Sequence, residues 1–408
     1  MHTLFQISIE VNINSVGKIA EQIGEAAIKK GWDSYITCCR NGCRPSKSKT
    51  IKIGNWLDVY WHGFMTRLFD RHCLHSTRAT KKLIKQIESI NPDVIHLHHI
   101  HGYFLNMKVL FDYLNKANKP VVWTFHDCWS FTGHCAYPNL ADCNKWMTGC
   151  NHCPQKKEYP GSIWIDRSRK NWEEKKDFFN LIENLTIVPV SDWMKGLVEQ
   201  SFLKGNQIHR IYNGIDLNVF SPQDSKNAVY ERYGIPVKNK IILGAASTWD
   251  ARKGLTDFLE LAAELPANIS IVLVGLNDEQ LKDLPANLIG IKRTYNVQEM
   301  AELYAAADVF ANPTYADTFP TTNLEALACG TPVVTYKTGG SPEAVDKETG
   351  IVVEQGDNVG LKAAILTIID TWDLVAVTDK CRKRAEKYFD KKKNFAEYVN
   401  LYEQLIEK

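Results

Sequence analysis

The chain has 408 residues, 44% of them hydrophobic and 24% charged, with a formal net charge of +2. That length exceeds what one hydrophobic core usually serves, so two domains are expected; the charge balance argues against nucleic acid as the main partner, and no run approaches the ~20 apolar residues of a membrane span. The start, Met1 to Glu10, has neither a basic n-region nor a cleavage site, so no signal peptide is expected and the cytosol is the expected compartment.

In chain order, Leu4–Ile9 is predicted as a strand and Gly17–Lys30 as a helix. Gly17 lies between them, where a missing Cβ lets the backbone approach a diphosphate or an acceptor; an ordinary turn is the plainer alternative. Asp33–Cys38, Asp93–His98, Val121–His126 and Leu185–Val190 read as further strands. Asn213-Gly214, inside Ile211–Leu217, is a turn signal at the break between the halves. Beyond it Ile241–Ala246, Ile269–Val274, Leu288–Ile291, Val309–Asn312 and Val333–Tyr336 are predicted strands with helices between. Strand and helix in alternation predict an α/β fold with parallel sheets. The last segment, Asn394–Lys408, puts Phe395, Tyr398, Val399, Tyr402, Leu405 and Ile406 on one helical face that needs a packing partner.

Trp56–Phe69 reads as a helix with Trp56, Leu57, Tyr60, Trp61, Phe64, Met65, Leu68 and Phe69 on one stripe. Arg67, Arg71, Arg78, Lys81, Lys82 and Lys85 follow in or after it. Such a stripe packs on a domain core or lies on an anionic membrane.

The most informative stretch is Tyr315–Glu325, which sets Asp317 and Glu325 eight residues apart. It follows the predicted strand Val309–Asn312, and Thr321 or Thr322 is placed to cap a short helix through Ala328. One carboxylate then sits in a loop after a strand and the other on a helix, with backbone N–H groups between them. The carboxyl end of a strand in an open α/β sheet is where ligands bind. Helix-start N–H groups attract phosphate, and carboxylates accept hydrogen bonds from sugar hydroxyls. The arrangement suits a ligand that is both sugar and phosphate. Arg252 and Lys253 precede another helix, where positive charge opposes the helix dipole and serves a diphosphate better than it serves the helix. His126 ends an apolar strand, a catalytic position if it faces a cleft. No G-x-G-x-x-G occurs, which counts against NAD chemistry.

Eleven cysteines in a reducing compartment point to thiols or metal rather than disulfides. Cys135, Cys143, Cys150 and Cys153 lie within nineteen residues, and Cys150-x2-Cys153 has knuckle spacing. Four thiolates suit a closed, structural zinc site, with Cys128, His134 and His152 as substitutes. Free thiols or a redox-labile pair are the alternatives.

These residues together resemble a family. Asp317-x7-Glu325 followed by Ala-Leu-Ala-Cys-Gly-Thr-Pro-Val-Val is similar to the E-x7-E segment of retaining GT-B glycosyltransferases of family four. Asn14-Ser-Val-Gly-Lys-Ile resembles the N-terminal glycine loop, and Thr124-Phe-His-Asp127 the loop with the active-site histidine. Ile211–Asp216 resembles the interdomain signature, Arg252-Lys-Gly254 the phosphate-binding lysine motif, and Gly339-Gly-Ser-Pro-Glu343 the loop after the carboxylates. Trp123–Tyr159 looks most like the bacterial exopolysaccharide and colanic-acid branch.

The resemblance implies two Rossmann-like domains: residues 1–212 on the acceptor side with a Cys-rich loop at 128–160, and 213–390 binding the sugar nucleotide. It also implies a C-terminal helix, 391–408, returning to the first domain. It implies Arg252 and Lys253 at the donor diphosphate, Asp317 at the transferred sugar and Glu325 at a ribose hydroxyl. The backbone of Phe319, Thr321, Thr322 and Asn323 would contact sugar and phosphate, with His126 at the reacting centre and Asp127 orienting it or binding acceptor. The resemblance implies no cofactor for catalysis and a glycan or lipid-linked glycan as acceptor. Two positions depart from the pattern: Asp317 stands for the usual Glu, and Thr248 for an Arg whose charge Arg252 is placed to replace. A GT-B epimerase or phosphorylase, or a non-catalytic sugar-nucleotide-binding subunit, are the competing functions.

Overall fold

The computed structural model describes residues 1–40 and 42–407. It divides into two compact units, Met1–Tyr212 with Lys392–Lys408, and Asn213–Lys391. The first unit holds strands β1 (Thr3–Ile7), β2 (Asp33–Cys38), β3 (Lys49–Lys52), β4 (Val94–Leu97), β5 (Val121–Phe125), β6 (Leu185–Pro189) and β7 (Gln207–Ile208). Its helices are α1 (Asn14–Lys29), α2 (Trp56–Phe69), α3 (Thr77–Ile90), α4 (Met107–Ala117), α5 (Ser168–Phe179) and α6 (Asp192–Gln200). The second unit has α7 (Lys226–Tyr233), β8 (Lys240–Ala245), α8 (Leu255–Glu264), β9 (Ile269–Val274) and β10 (Leu288–Ile291). It continues with α9 (Val297–Ala306), β11 (Val309–Asn312), α10 (Thr321–Ala328), β12 (Val333–Tyr336), β13 (Gly350–Val353), α11 (Asn358–Thr371) and α12 (Leu374–Tyr388). Helix α13 (Lys391–Ile406) closes the chain.

Both sheets are wholly parallel, in the orders β3-β2-β1-β4-β5-β6-β7 and β10-β9-β8-β11-β12-β13. Each is doubly wound, and each reverses direction beside its first strand, between β1 and β4 and between β8 and β11. The central strands are buried on both faces, which is why they read as apolar runs. Three strands have no counterpart among the predicted ones: β3, β7 and β13. All three are sheet edges, where one side of the ladder is unpaired and the apolar run thins or shortens.

Helix α13 packs in the first unit. Phe395, Tyr398, Val399 and Tyr402 form one buried cluster with Leu4, Val94, Val122 and Val188 of its strands and Ile19 and Ile23 of α1. The hydroxyls stay satisfied: Tyr402 Oη lies 2.6 Å from His96 Nδ1, and Thr124 donates to Tyr398 Oη at 3.1 Å. Burying each such side chain contributes roughly 1.5–3 kcal/mol.

Helix α2 starts on a capping box, Asn55 with Asp58, and turns its sequence pattern inside out. Val59, His62 and Thr66 face inward, while Trp56, Leu57, Tyr60, Trp61 and Phe64 are each more than half exposed. His62 explains the inversion. Its ring bonds Ser76 Oγ at 2.9 Å and accepts from the Cys73 N–H at 3.0 Å, so a polar anchor holds the inner face.

The expectation of thiols throughout is corrected at one place. Cys38 and Cys43 form a disulfide, their Cα atoms 5.3 Å apart. The turn after β2 folds back so that the Val11 N–H donates to the Gly42 carbonyl at 2.8 Å, which brings the two cysteines side by side. Among the described residues, no helix is long and apolar enough to cross a membrane.

Candidate functional site

In the second unit, the loops after β8 and β11 converge at the topological switch point. Arg252 and Lys253 end a 3-10 turn, Ala251–Lys253, that Asp250 caps by accepting from the Arg252 N–H. The chain then passes Gly254, at φ 73°, where a Cβ would lie 2.2 Å from the Pro313 carbonyl oxygen. Only glycine lets the two loops meet this closely. Across the contact, the Tyr315 N–H donates to the Arg252 carbonyl at 2.8 Å, and the Arg252 guanidinium donates to the Ala316 carbonyl at 2.9 Å.

These bonds hold Lys253 against Asp317, Nζ to Oδ2, at 2.6 Å, with both side chains more than four-fifths buried. Gly339, at φ 55°, closes the far side, since a Cβ there would sit 1.7 Å from the Asp317 carbonyl oxygen. Glu325 has a different partner: its Oε2 accepts from Tyr304 Oη at 2.9 Å. The negative charge of Glu325 and burial both push the Tyr304 phenol well above its ordinary pKa, burial most, so it stays a donor. The two carboxylates of the motif thus stand in distinct settings, one on a lysine and one on a phenol.

Helix α10 corrects the expected cap. Its N-cap is Pro320 rather than Thr321 or Thr322, and no side chain caps it. Proline has no side-chain acceptor, so the first N–H groups of the helix, beginning with Thr321 and Thr322, are left to another acceptor. Phe319 is buried and stacks edge-on to Phe389 at 5.8 Å. Asn323 is fully buried and accepts from Asn312 Nδ2 at 2.7 Å, which ties the helix start to the end of β11.

In the first unit, His126 follows β5 and is buried. His126 Nε2 lies 3.2 Å from His98 Nδ1, and His98 Nε2 lies 3.0 Å from Gln6 Oε1. The Gln6 amide donates to the Ala20 carbonyl, which fixes its oxygen toward His98. His98 therefore donates from Nε2, and its Nδ1 accepts from His126 Nε2–H. Burial, then the neighbouring His99 and His98, hold His126 well below its ordinary pKa. It is a neutral imidazole with Nδ1 as its acceptor nitrogen.

Asp127 is held by His101 Nε2 at 3.0 Å and by the Trp129 N–H at 2.9 Å, with His99 Nε2 at 3.3 Å. Burial alone would raise its pKa, but the charges of His101 and His99 and these hydrogen bonds bring it below the ordinary carboxylate value. Tyr159 Oη in turn bonds His101 Nδ1 at 3.0 Å. His98, His99 and His101 were not singled out from sequence. The signal was there in His96-Leu-His-His-Ile-His101, a histidine run at the end of β4 beside the switch point.

Gly17 falls inside the first turn of α1, not before the helix as expected. A Cβ there would lie 3.1 Å from Glu10 Cγ and 3.2 Å from its carbonyl carbon. Its bareness accommodates the chain's own Glu10, whose carboxylate accepts from Asn14 Nδ2 at 2.8 Å.

Cys135, Cys143, Cys150 and Cys153 line one cavity. His134 is committed elsewhere, its Nδ1 2.6 Å from Asp70 Oδ1 in a fully buried pair. Cys128 is buried apart from that cavity's lining, and His152 is exposed.

A model of glycosyl transferases group 1 matches residues 239–371, and one of glycosyltransferase family 4 matches residues 16–219, half of the chain. The chain belongs to glycosyltransferase family 4. A protein of Escherichia coli K12 named as a colanic acid biosynthesis glycosyl transferase, WcaC, is 25% identical over 98% of this chain and 100% of its own. The D-inositol 3-phosphate glycosyltransferase of Mycobacteroides abscessus is 32% identical over 36% of this chain and 35% of its own. Among solved structures, sucrose-phosphate synthase from Thermosynechococcus elongatus superposes with a TM-score of 0.72 at 19% identity, covering 99% of each chain. Anabaena HepE in complex with UDP-glucose gives 0.65 at 15%, covering 100% of this chain and 99% of its own. The family 4 enzyme has the GT-B fold class, two Rossmann-like units in one chain, and its activity is glycosyl transfer.

Proposed function

We propose that this glycosyltransferase moves a sugar from a nucleotide-sugar donor to a glycan or lipid-linked glycan acceptor with retention of configuration, in surface or exopolysaccharide assembly. The observation that carries the reading is the Lys253–Asp317 pair beside the uncapped start of α10. A diphosphate there meets an ammonium and backbone N–H groups together. Lys253 exchanges Asp317 for phosphate, and Asp317 turns to a hydroxyl of the transferred sugar. Arg252 adds charge where the leaving group gains it, and Glu325 receives the ribose. The HepE structures with UDP and UDP-glucose, and the name of the WcaC relative, support the donor class and the pathway class.

In the reaction, the bond from the anomeric carbon to the donor phosphate oxygen breaks as the acceptor hydroxyl oxygen attacks the same face. The hydroxyl proton passes to the departing phosphate. No cofactor is called for, because fixed cations and amide dipoles supply the electrostatic work. In the first unit, neutral His126 offers an acceptor nitrogen to a sugar hydroxyl, and ionised Asp127 anchors the histidine cluster around it; Gly17 and Glu10 shape the neighbouring loop.

The exposed aromatic face of α2 supports a lipid-linked acceptor. Trp56, Leu57, Tyr60, Trp61 and Phe64 are continued by Ile163 and Trp164, whose loop is bonded to the end of α2 by Ile163 N–H to the Arg67 carbonyl at 2.8 Å. Arg67, Arg71, Arg78, Lys81, Lys82 and Lys85 are exposed on α2, α3 and the turn joining them. Aromatics with flanking cations suit the interface of an anionic bilayer.

A panel of sugar nucleotides, read by release of nucleoside diphosphate and by thermal shift, tests the donor assignment. One nucleotide family should stabilise the chain, and Lys253→Met should remove that shift. A panel that neither stabilises nor turns over would overturn it.

A further inference from the structure

The loop between β5 and α5 holds a second cluster of ligand-type side chains, distinct from His126 and Asp127. We propose that Cys135, Cys143, Cys150 and Cys153 bind one zinc ion as a closed tetrathiolate site whose role is to order this loop. All four cysteines line a single cavity, whose wall also includes Thr132, His134, Pro138, Lys145 and Trp146. Cys135 and Cys153 are within hydrogen-bond reach of each other. Among the described residues, the one set of three or more metal-ligating groups drawn within 4.8 Å is His99, His101 and Asp127. The four sulfurs therefore surround their cavity at wider spacing, and zinc would draw them to the common centre that bonds of about 2.3 Å require.

Three features of the fold prepare that centre. Gly133 brings its backbone against the knuckle: its N–H donates to Cys150 Sγ at 3.1 Å, and a Cβ on Gly133 would sit 2.7 Å from the Cys150 Cβ. An N–H donor on sulfur stabilises the thiolate that a metal needs.

Next, the ammonium of Lys175 is buried under the loop. It donates to the carbonyls of Trp129 at 2.6 Å and Thr132 at 3.0 Å and stands 3.4 Å over the Trp129 ring. Among the described residues no carboxylate pairs with it. Burial pulls the Lys175 ammonium down to a pKa of about 7, so its charged form gains from a nearby anion, and four thiolates around Zn²⁺ carry a net charge of about −2. Third, residues 129–167 contain only three short 3-10 turns, yet they place Trp129, Phe131 and Trp146 in the main core of the unit. Few ladder bonds hold this stretch, so a metal crosslink is the fitting organiser.

Three of the four thiols, Cys143, Cys150 and Cys153, are half-buried, while Cys135 is buried, as are Cys39, Cys73, Cys128, Cys329 and Cys381 outside the cavity. Of the His99–His101–Asp127 set, His101 Nε2 is bonded to Asp127 while His99 Nε2 stands 3.3 Å from it without a hydrogen bond among the described residues; this is the rival location that the test must separate.

The full chain, purified without chelator, should carry about one zinc by elemental analysis. The double variant Cys143→Ser, Cys153→Ser should lose it, and Cys329→Ser should keep it. Cobalt(II) loaded in place of zinc should give the intense near-ultraviolet band of thiolate-to-metal charge transfer. Should the double variant fail to fold, mercurial titration of the unmodified chain in a chromophoric zinc chelator keeps the test open. Zinc should then be released in step with thiol modification. A metal-free protein whose cobalt form lacks the charge-transfer band would overturn the proposal. So would a metal that survives the cysteine variant and leaves with His99→Ala, His101→Ala.

Discussion

The first unit holds all twelve histidines of the chain and the second holds none. The two candidate sites differ accordingly. Around His126 the groups are buried imidazoles on the ends of β4 and β5, joined in a relay from Gln6 through His98 and kept neutral by burial. Around Lys253 they are permanent charges on two loops, largely buried and paired. The first design presents hydrogen-bond acceptors of tunable charge, as a hydroxyl partner requires. The second presents fixed charge that an anionic ligand can take over. The same doubly wound topology supports both, because chemistry is placed by the loops at the carboxyl ends of the strands.

The largest effect should come from removing what supports the histidine side. Phe395→Ala in α13 empties a fully packed position and should cost about 3–5 kcal/mol of stability in denaturant unfolding. A loss under 1 kcal/mol would mean that α13 does not anchor the sheet beneath His96.

Acid should next separate the units. An unfolded histidine protonates near 6.5, whereas burial, the largest cause in each, holds His75 and His99 to about 4 and His62 to about 3. Between those values the unfolded chain binds more protons than the native one, so the stability of the first unit falls as the pH drops below 6.5 and keeps falling to about 3. Above 6.5 this contribution is flat. Hydrogen exchange should lose protection in Met1–Tyr212 before Asn213–Lys391; parallel loss in both would break the contrast.

A smaller effect tests the second unit. Lys253→Met removes a charged contact to phosphate worth ~1.5–3 kcal/mol, a roughly ten- to hundred-fold loss of donor affinity by calorimetry, with the pH profile of the first unit unmoved. Tyr304→Phe withdraws the Tyr304 hydroxyl from Glu325 and should weaken the donor by ~0.5–1.5 kcal/mol; an unchanged affinity would release Glu325 from the ribose. Smallest of all, Trp61→Ala should leave stability within about 0.5 kcal/mol because the ring is exposed. Flotation on anionic vesicles should nonetheless fall, and binding that is unaffected would remove the membrane from the reading.

Two helices with similar aromatic stripes mark the limit of what periodicity reveals. The stripe of α13 is buried against the sheet. That of α2 is exposed, since His62 bonded to Ser76 and Cys73 turns the polar face inward. Periodicity names a face but not its partner, because the partner lies far away in the chain. The interior strands, by contrast, were legible almost to the residue, as were the places of Arg252 and Lys253 before α8, of Asp317 in the loop after β11 and of Glu325 on α10. Buried strands and glycine-marked loops are local patterns.

What this sequence determines by itself is therefore the alternation of elements, the parallel sheets and the charged loops of the second unit, all of which follow from short-range residue chemistry. The tertiary structure alone decided that Lys253 meets Asp317, that Glu325 meets Tyr304 instead, and that His98, His99 and His101 gather around His126 and Asp127. Each of those contacts joins residues from separate strands and loops, and side chains that far apart in sequence carry no local signal of their meeting.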